Sequence, residues 1–144
     1  MSLLRMAQVP PPVVGPAVTV LDAVEVMSHN RVGAVVVMEQ DALKGIFTER
    51  DVMIRVVLQQ RDPARTLVRD VMTAHVKTLT DSATPDEVID VMLSGHLRHV
   101  PILDADGRVL GLLSIRSLLE DKVNDLSREV HALEQYIGSD GPGG

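Results

Sequence analysis

The side chains best suited to chemistry in this sequence sit in Thr48-Glu49-Arg50-Asp51 and in Arg98-His99, with Lys77 between them along the chain. A threonine at a helix start, with backbone N–H groups behind it, is placed to face a phosphate. Asp51 can accept hydrogen bonds from a sugar diol, as an acidic residue does in dinucleotide-binding folds. Arg98, His99 and Lys77 would supply cationic donors for an anion. Thr48 and Asp51 also have a structural use. Three residues apart, they can form a capping box that satisfies two orphan backbone donors. Both uses remain open on local pattern alone.

Other chemistries are poorly served. No G-x-S-x-G, G-x-x-x-x-G-K-[ST] or G-x-G-x-x-G occurs, and no Ser or His has a neighbourhood that argues for an activated nucleophile. His29, His75, His96, His99 and His131 lack metal-ligand spacing, and without cysteine there is neither a thiolate metal site nor a disulfide framework. The expectation is a chain with no catalytic centre and no metal.

Composition narrows the class further. The chain has 144 residues, a net charge of −6, 45% apolar residues and only Phe47 and Tyr136 as aromatics. Its core must be aliphatic. A negative chain without stacking platforms is a poor nucleic-acid binder. No stretch approaches the roughly 20 apolar residues of a membrane span, and the first residues lack the apolar run of a signal peptide. These features point to a soluble, cytoplasmic protein of one compact body.

The elements that position these residues are written twice. Thr19 to Met27 recurs as Thr84 to Met92, 65 positions on, and Gly45 to Asp51 recurs as Gly111 to Ser117, 66 positions on. The one-residue slip falls in a turn between them, where an insertion is tolerated. Each copy opens with a short extended piece, at Val13-Val14 or Val76 to Leu79. A helix follows, started by a capping box at Thr19/Asp22 or Thr84/Glu87, with Pro85 at the first helical position. Two short strands come next, Ala34 to Met38 or Val100 to Leu103 being apolar throughout, as in strands buried on both faces. A second helix starts at Thr48 or Ser114. The repeat reads β-α-β-β-α, and two copies imply a pseudo-two-fold body with a cleft between them.

This divides the chain into residues 1–66 (first repeat with N-terminal segment and linker), 67–120 (second repeat) and 121–144 (C-terminal amphipathic helix and flexible tail). Val68 to Met72 reads as a helical turn leading into the second copy. In the last helix, Leu119, Val123, Leu126, Val130, Leu133 and Ile137 are spaced 4-3-4-3-4, a heptad stripe. It could pack on its own body or pair with a second subunit.

The β-α-β-β-α repeat resembles a cystathionine-β-synthase (CBS) domain. Arg98-His99-Val100-Pro101-Ile102-Leu103-Asp104, Gly45-Ile46-Phe47-Thr48-Glu49-Arg50-Asp51 and Gly111-Leu112-Leu113-Ser114 carry the likeness, which runs from about Pro10 to Leu119. It implies an α/β (α+β) fold of two CBS repeats, followed here by a long C-terminal helix. It also implies a homodimer that binds adenosine-containing ligands (AMP, ADP, ATP, sometimes NAD or S-adenosylmethionine) between the repeats and senses rather than transforms them.

Carried over by position, the resemblance implies a first nucleotide site of Thr48, Arg50 and Asp51 with Lys77, Arg98 and His99. Asp51 would hold the ribose and the cations the phosphates. A second site would use Ser114, Arg116 and Ser117 with Pro12, Val13, Gly33 and Ala34. There Ser117 stands where the family has its ribose-binding aspartate, so this site is expected to be degraded. The expected function is a non-catalytic regulatory module with an adenine nucleotide as ligand and an unknown regulated protein as partner. The alternative is an interaction protein that keeps the fold, has lost ligand binding and acts through dimerisation.

Overall fold

The computed structural model describes residues 3–139. The elements are β1 (Val13–Val14), α1 (Val20–Asn30), β2 (Ala34–Glu39), β3 (Ala42–Thr48) and α2 (Glu49–Asp51), then β4 (Leu79–Thr80), α3 (Pro85–Gly95), β5 (His99–Leu103), β6 (Val109–Ser114) and α4 (Ile115–Ser139). This is the expected β-α-β-β-α order, twice. Each copy forms a three-stranded sheet, ordered β1-β2-β3 or β4-β5-β6, with the first pair parallel and the second antiparallel. The expected tail Gly138 to Gly144 is helical through Ser139, and residues 140–144 lie outside the described residues.

The caps behave as local chemistry dictates. Thr84 and Glu87 form a complete capping box at α3, and Thr48 and Asp51 form one at α2. At α1, Thr19 accepts from the Asp22 N–H, but Asp22 returns no bond, so that box is half made. α2 continues as a π-helix over Val52–Val57, visible in the i→i−5 bonds from Leu58 N to Met53 O and Arg61 N to Val56 O, both 3.0 Å.

The apolar run Ala34 to Val37 of β2 is buried on both faces, while Glu39 at its end is exposed. Val35 and Val37 point into the first repeat's core with Val20, Ala23 and Phe47. Ala34 and Val36 point the other way and meet Ile46 and Leu112 in a layer between the two repeats. A proline explains why β4 starts later than the expected Val76. In the first repeat Val36 N donates to Pro12 O at 2.9 Å. The equivalent of Val36 is Pro101, which has no N–H to donate. Pairing therefore begins only at Leu79, opposite Ile102.

The repeats exchange segments. Leu3 is fully buried in the second repeat's core, beside Met92, Val100 and Leu118. Val68 and Val71 are buried in the first repeat's core. Packing therefore crosses the boundaries drawn from the repeat spacing, although sequence order does not. The exchange continues as backbone bridges, Thr73 pairing with Ile46 and Gln8 with Leu112. The two repeat glycines make these bridges possible. A Cβ on Gly45 would lie 2.6 Å from Thr73 O, and one on Gly111 would lie 2.9 Å from Gln8 O.

Candidate functional site

Three turns that bring backbone and charge together build the main cleft. α1 ends on Arg31 in the left-handed conformation (φ 54), its N–H bonded to Met27 O and Ser28 O. Gly33 follows, and its carbonyl accepts from Glu49 N at 2.9 Å. A Cβ here would meet Glu49 Oε1 at 2.8 Å and His99 Cε1 at 3.2 Å, so glycine lets a carboxylate from α2 and an imidazole from β5 converge across the repeats. Across the cleft, Ser114 Oγ accepts from Ser117 N and donates to Ser117 Oγ, both at 3.1 Å, capping the first turn of α4.

These groups enclose a cavity of about 960 Å³ between the repeats. Its polar lining includes Gln8, Ser28, Arg31, Arg98, Arg116, His99, Ser114 and Ser117, with Glu49 and Glu120 as the acids. Val24, Met27, Val32 and Leu112 supply the apolar wall. The volume is that of a small-molecule site. Three arginines against two glutamates favour an anion, and a serine-capped helix start adds oriented donors. Arg116 is partly engaged, its Nε lying 3.2 Å from Glu120 Oε1. Burial pushes the His99 imidazole below its ordinary value of 6.5; Glu49 opposes the shift and Arg98 adds to it. Burial thus disfavours the imidazolium form of His99.

Asp51 lies elsewhere. The residue is 7% exposed, and its carboxylate accepts from Thr48 N at 3.1 Å and from Thr73 Oγ1 at 3.1 and 3.3 Å and sits 3.6 Å from Arg55 Nε. Arg55 also donates to Met72 O at 2.7 Å. The capping use of Thr48 and Asp51 is therefore realised, and the same carboxylate ties down the segment leading to the second repeat. Arg50 and Lys77 are exposed, and neither they nor Thr48 and Asp51 line the cavity.

The structure groups the sequence candidates differently from the two expected sets. Arg98 and His99 share a cavity with Gly33, Ser114, Arg116 and Ser117. Pro12 and Ala34 are buried in sheet packing, Val13 lies on an exposed strand, and none of the three lines the cavity. Sequence reasoning missed Gln8, Arg31, Glu120 and Thr73, and gave Glu49 no role of its own. The duplication held a signal for some of them: Gln8 and Thr73 are 65 apart, as are Arg31 and His96, the left-handed caps of α1 and α3. Among the described residues no group of His, Asp and Glu is placed to hold a metal ion, and no helix is long and apolar enough to cross a membrane.

The family model of the CBS domain matches residues 5–57 and again residues 68–124. The chain belongs to the CBS-domain family. It is 36% identical over 126 residues to the mitochondrial CBS domain-containing protein CBSX3 of Arabidopsis thaliana, covering 83% of this chain and 60% of that protein. It is 32% identical to the CBS domain-containing protein YhcV of Bacillus subtilis, covering 81% of this chain and 79% of that one. Against the meiotically up-regulated gene 70 protein of Schizosaccharomyces pombe the match spans 16% of the relative's length. The chain thus spans less than two thirds of several curated relatives.

Among solved structures, a putative signal-transduction protein with CBS domains from Burkholderia ambifaria superposes with a TM-score of 0.80 at 32% identity, over 87% of this chain and 96% of that one. A CBS domain protein from Pyrobaculum aerophilum, complexed with AMP, shares the fold at 24% identity and a TM-score of 0.72, over 81% and 89% of the two chains. The architecture expected from the sequence, a CBS pair with a long C-terminal helix, is the one observed.

Proposed function

We propose that this CBS pair is a non-catalytic regulatory module that binds an adenosine-containing nucleotide between its repeats. We further propose that it works in the cytoplasm as a homodimer and acts on a partner protein. The observation that carries the reading is the cleft lined in common by Arg31, Arg98, Arg116, His99 and the serine-capped start of α4. Phosphate oxygens suit the arginines and His99. The Ser114 and Ser117 hydroxyls suit sugar or phosphate oxygens. Glu49 and Glu120 are the carboxylates within the cleft able to accept from a sugar diol, a task Ser117 performs less well than an aspartate. The AMP complex of the Pyrobaculum relative supports the ligand class.

Of the first expected site (Thr48, Arg50, Asp51, Lys77, Arg98 and His99), Arg98 and His99 belong to the cleft, and the remaining four are a second proposed position for a nucleotide. It requires Asp51 to exchange its Thr73 contact for a ribose hydroxyl. That engaged carboxylate also supports the other reading, an interaction protein without a ligand, because every contact of Asp51 is met from within the chain.

Calorimetric titration with AMP, ADP, ATP, NAD and S-adenosylmethionine decides between them. A ligand at 100 times its dissociation constant stabilises the fold by about 2.7 kcal/mol and raises Tm. Saturable heat and a raised Tm with an adenine nucleotide are expected. A flat response to all five leaves the interaction-protein reading.

A further inference from the structure

The apolar stripe of α4 has no cover from the body that carries it. Leu119, Val123, Leu126, Val130, Leu133 and Ile137 are between 52% and 65% exposed. The body grips a neighbouring face of the helix. Leu118 is buried in the second repeat's core, and Asp121 accepts from Arg5 at 3.1 Å. Turning the helix to hide its stripe would break both anchors, so packing on its own body, one of the two options open on sequence, is not what the structure shows.

We propose that α4 pairs antiparallel with α4 of a second copy of this chain. The proposal rests on the homodimer reading and names its surface. The seam alternates β-branched Val123, Val130 and Ile137 with Leu119, Leu126 and Leu133, a composition that in parallel pairs specifies two strands. The charges flanking the seam set the direction. In a parallel in-register pair Glu129 meets the partner's Glu134, twice, and Lys122 meets the partner's uncharged Ser127. In an antiparallel pair with Val123 on the partner's Leu126, Lys122 meets the partner's Glu129, twice, and Glu120 meets the partner's Ser127. Sliding one heptad toward fuller overlap sets Glu129 against the partner's Glu129. The attractive register is therefore the one centred between Val123 and Leu126.

A second feature fits that register. It brings the partner's Leu133 opposite Arg116, where Ile115, Leu119 and Val123 line a shallow, largely apolar depression. Arg116 also lines the cleft between the repeats. The second copy thus borders the proposed nucleotide site. The existing Lys122–Asp86 contact (3.6 Å, both side chains well exposed) is a weak competitor for Lys122.

Sedimentation equilibrium of the intact chain should give twice 15.6 kDa. The double variant Leu126→Asp with Val130→Asp should keep its circular dichroism and weaken dimerisation by at least about a hundredfold. Lys122→Glu or Glu129→Lys alone should weaken it, and the two together should restore it. Because the chain lacks cysteine, a mixture of Val123→Cys and Leu126→Cys proteins reports direction: the mixed disulfide should dominate on mild oxidation. A monomeric wild-type mass overturns both this pairing and the homodimer reading. A double aspartate variant that stays dimeric overturns the pairing alone and points to another surface. Disulfides only between like variants overturn the antiparallel direction.

Discussion

The hydroxyl of Thr73 donates to both carboxylate oxygens of Asp51, at 3.1 and 3.3 Å, across 22 residues of sequence. Asp51 is thereby more than a helix cap. It joins the start of α2 to the segment whose backbone extends the first sheet at Ile46. Replacing Asp51 with Ala removes the capping bond and the Thr73 acceptor together, and should cost about 2 kcal/mol in urea unfolding. Thr73→Val should cost less. A double-mutant cycle of the two should return a coupling of about 0.5 to 1.5 kcal/mol; strict additivity would mean that the contact contributes nothing.

The two proposed nucleotide positions are separable by mutation. Arg98→Ala and Arg116→Ala touch the cleft and leave the cores alone, so both proteins should melt near the wild-type temperature. Each should bind AMP or ATP about tenfold more weakly, about 1.4 kcal/mol, if the cleft holds the phosphates. Lys77→Ala should leave affinity unchanged in that case. The reverse ranking would move the ligand to the Thr48–Asp51 side.

His99 gives the cleft a pH dependence with a definite sign. Its folded value lies below 6.5, chiefly through burial. Between those two values the unfolded chain binds more protons than the folded one, so stability is intact above pH 6.5 and falls as pH drops below it. A phosphate beside the ring favours the imidazolium, so nucleotide binding should take up a proton and tighten as the pH falls through this window. Calorimetry in two buffers of different ionisation enthalpy measures the uptake, and His99→Gln should abolish it. Equal heats in both buffers would place His99 away from the phosphates.

Gly45→Ala and Gly111→Ala both drive a methyl into backbone, 2.6 Å from Thr73 O and 2.9 Å from Gln8 O. Each should destabilise by about 1 to 3 kcal/mol, with Gly45→Ala the worse. Thermal melts of the two variants check both the size and the order.

What could be read from the sequence was what local chemistry determines. Pro85 and the Thr84/Glu87 box locate α3 because the partners are three residues apart. The uninterrupted apolar run at β2 announces burial on both faces because a two-residue side-chain period leaves no other use for it. The stripe on α4 was visible, but its exposure was not, since Leu118 and Asp121 could be assigned to the body only from their contacts with distant residues. The same limit governs the cleft. Arg98 precedes a strand in one repeat and Arg116 follows a strand in the same repeat, and only the fold sets them beside Gly33 of the other. Thr73 carries no local signature, and its bond to Asp51 follows from the exchange of segments between the repeats.

That exchange constrains how the molecule can move. Because Leu3 is embedded in the interior of the far half and Val68 and Val71 in that of the near one, the halves are laced by two covalent strands running in opposite senses. Opening them like a clamshell would pull apolar anchors into water on both sides at once. The displacement expected to cost least is a glide along the aliphatic layer of Ala34, Val36, Ile46 and Leu112, which exposes no anchor. Such a glide would reach the root of α4, because Leu112 lies on the strand that runs directly into that helix.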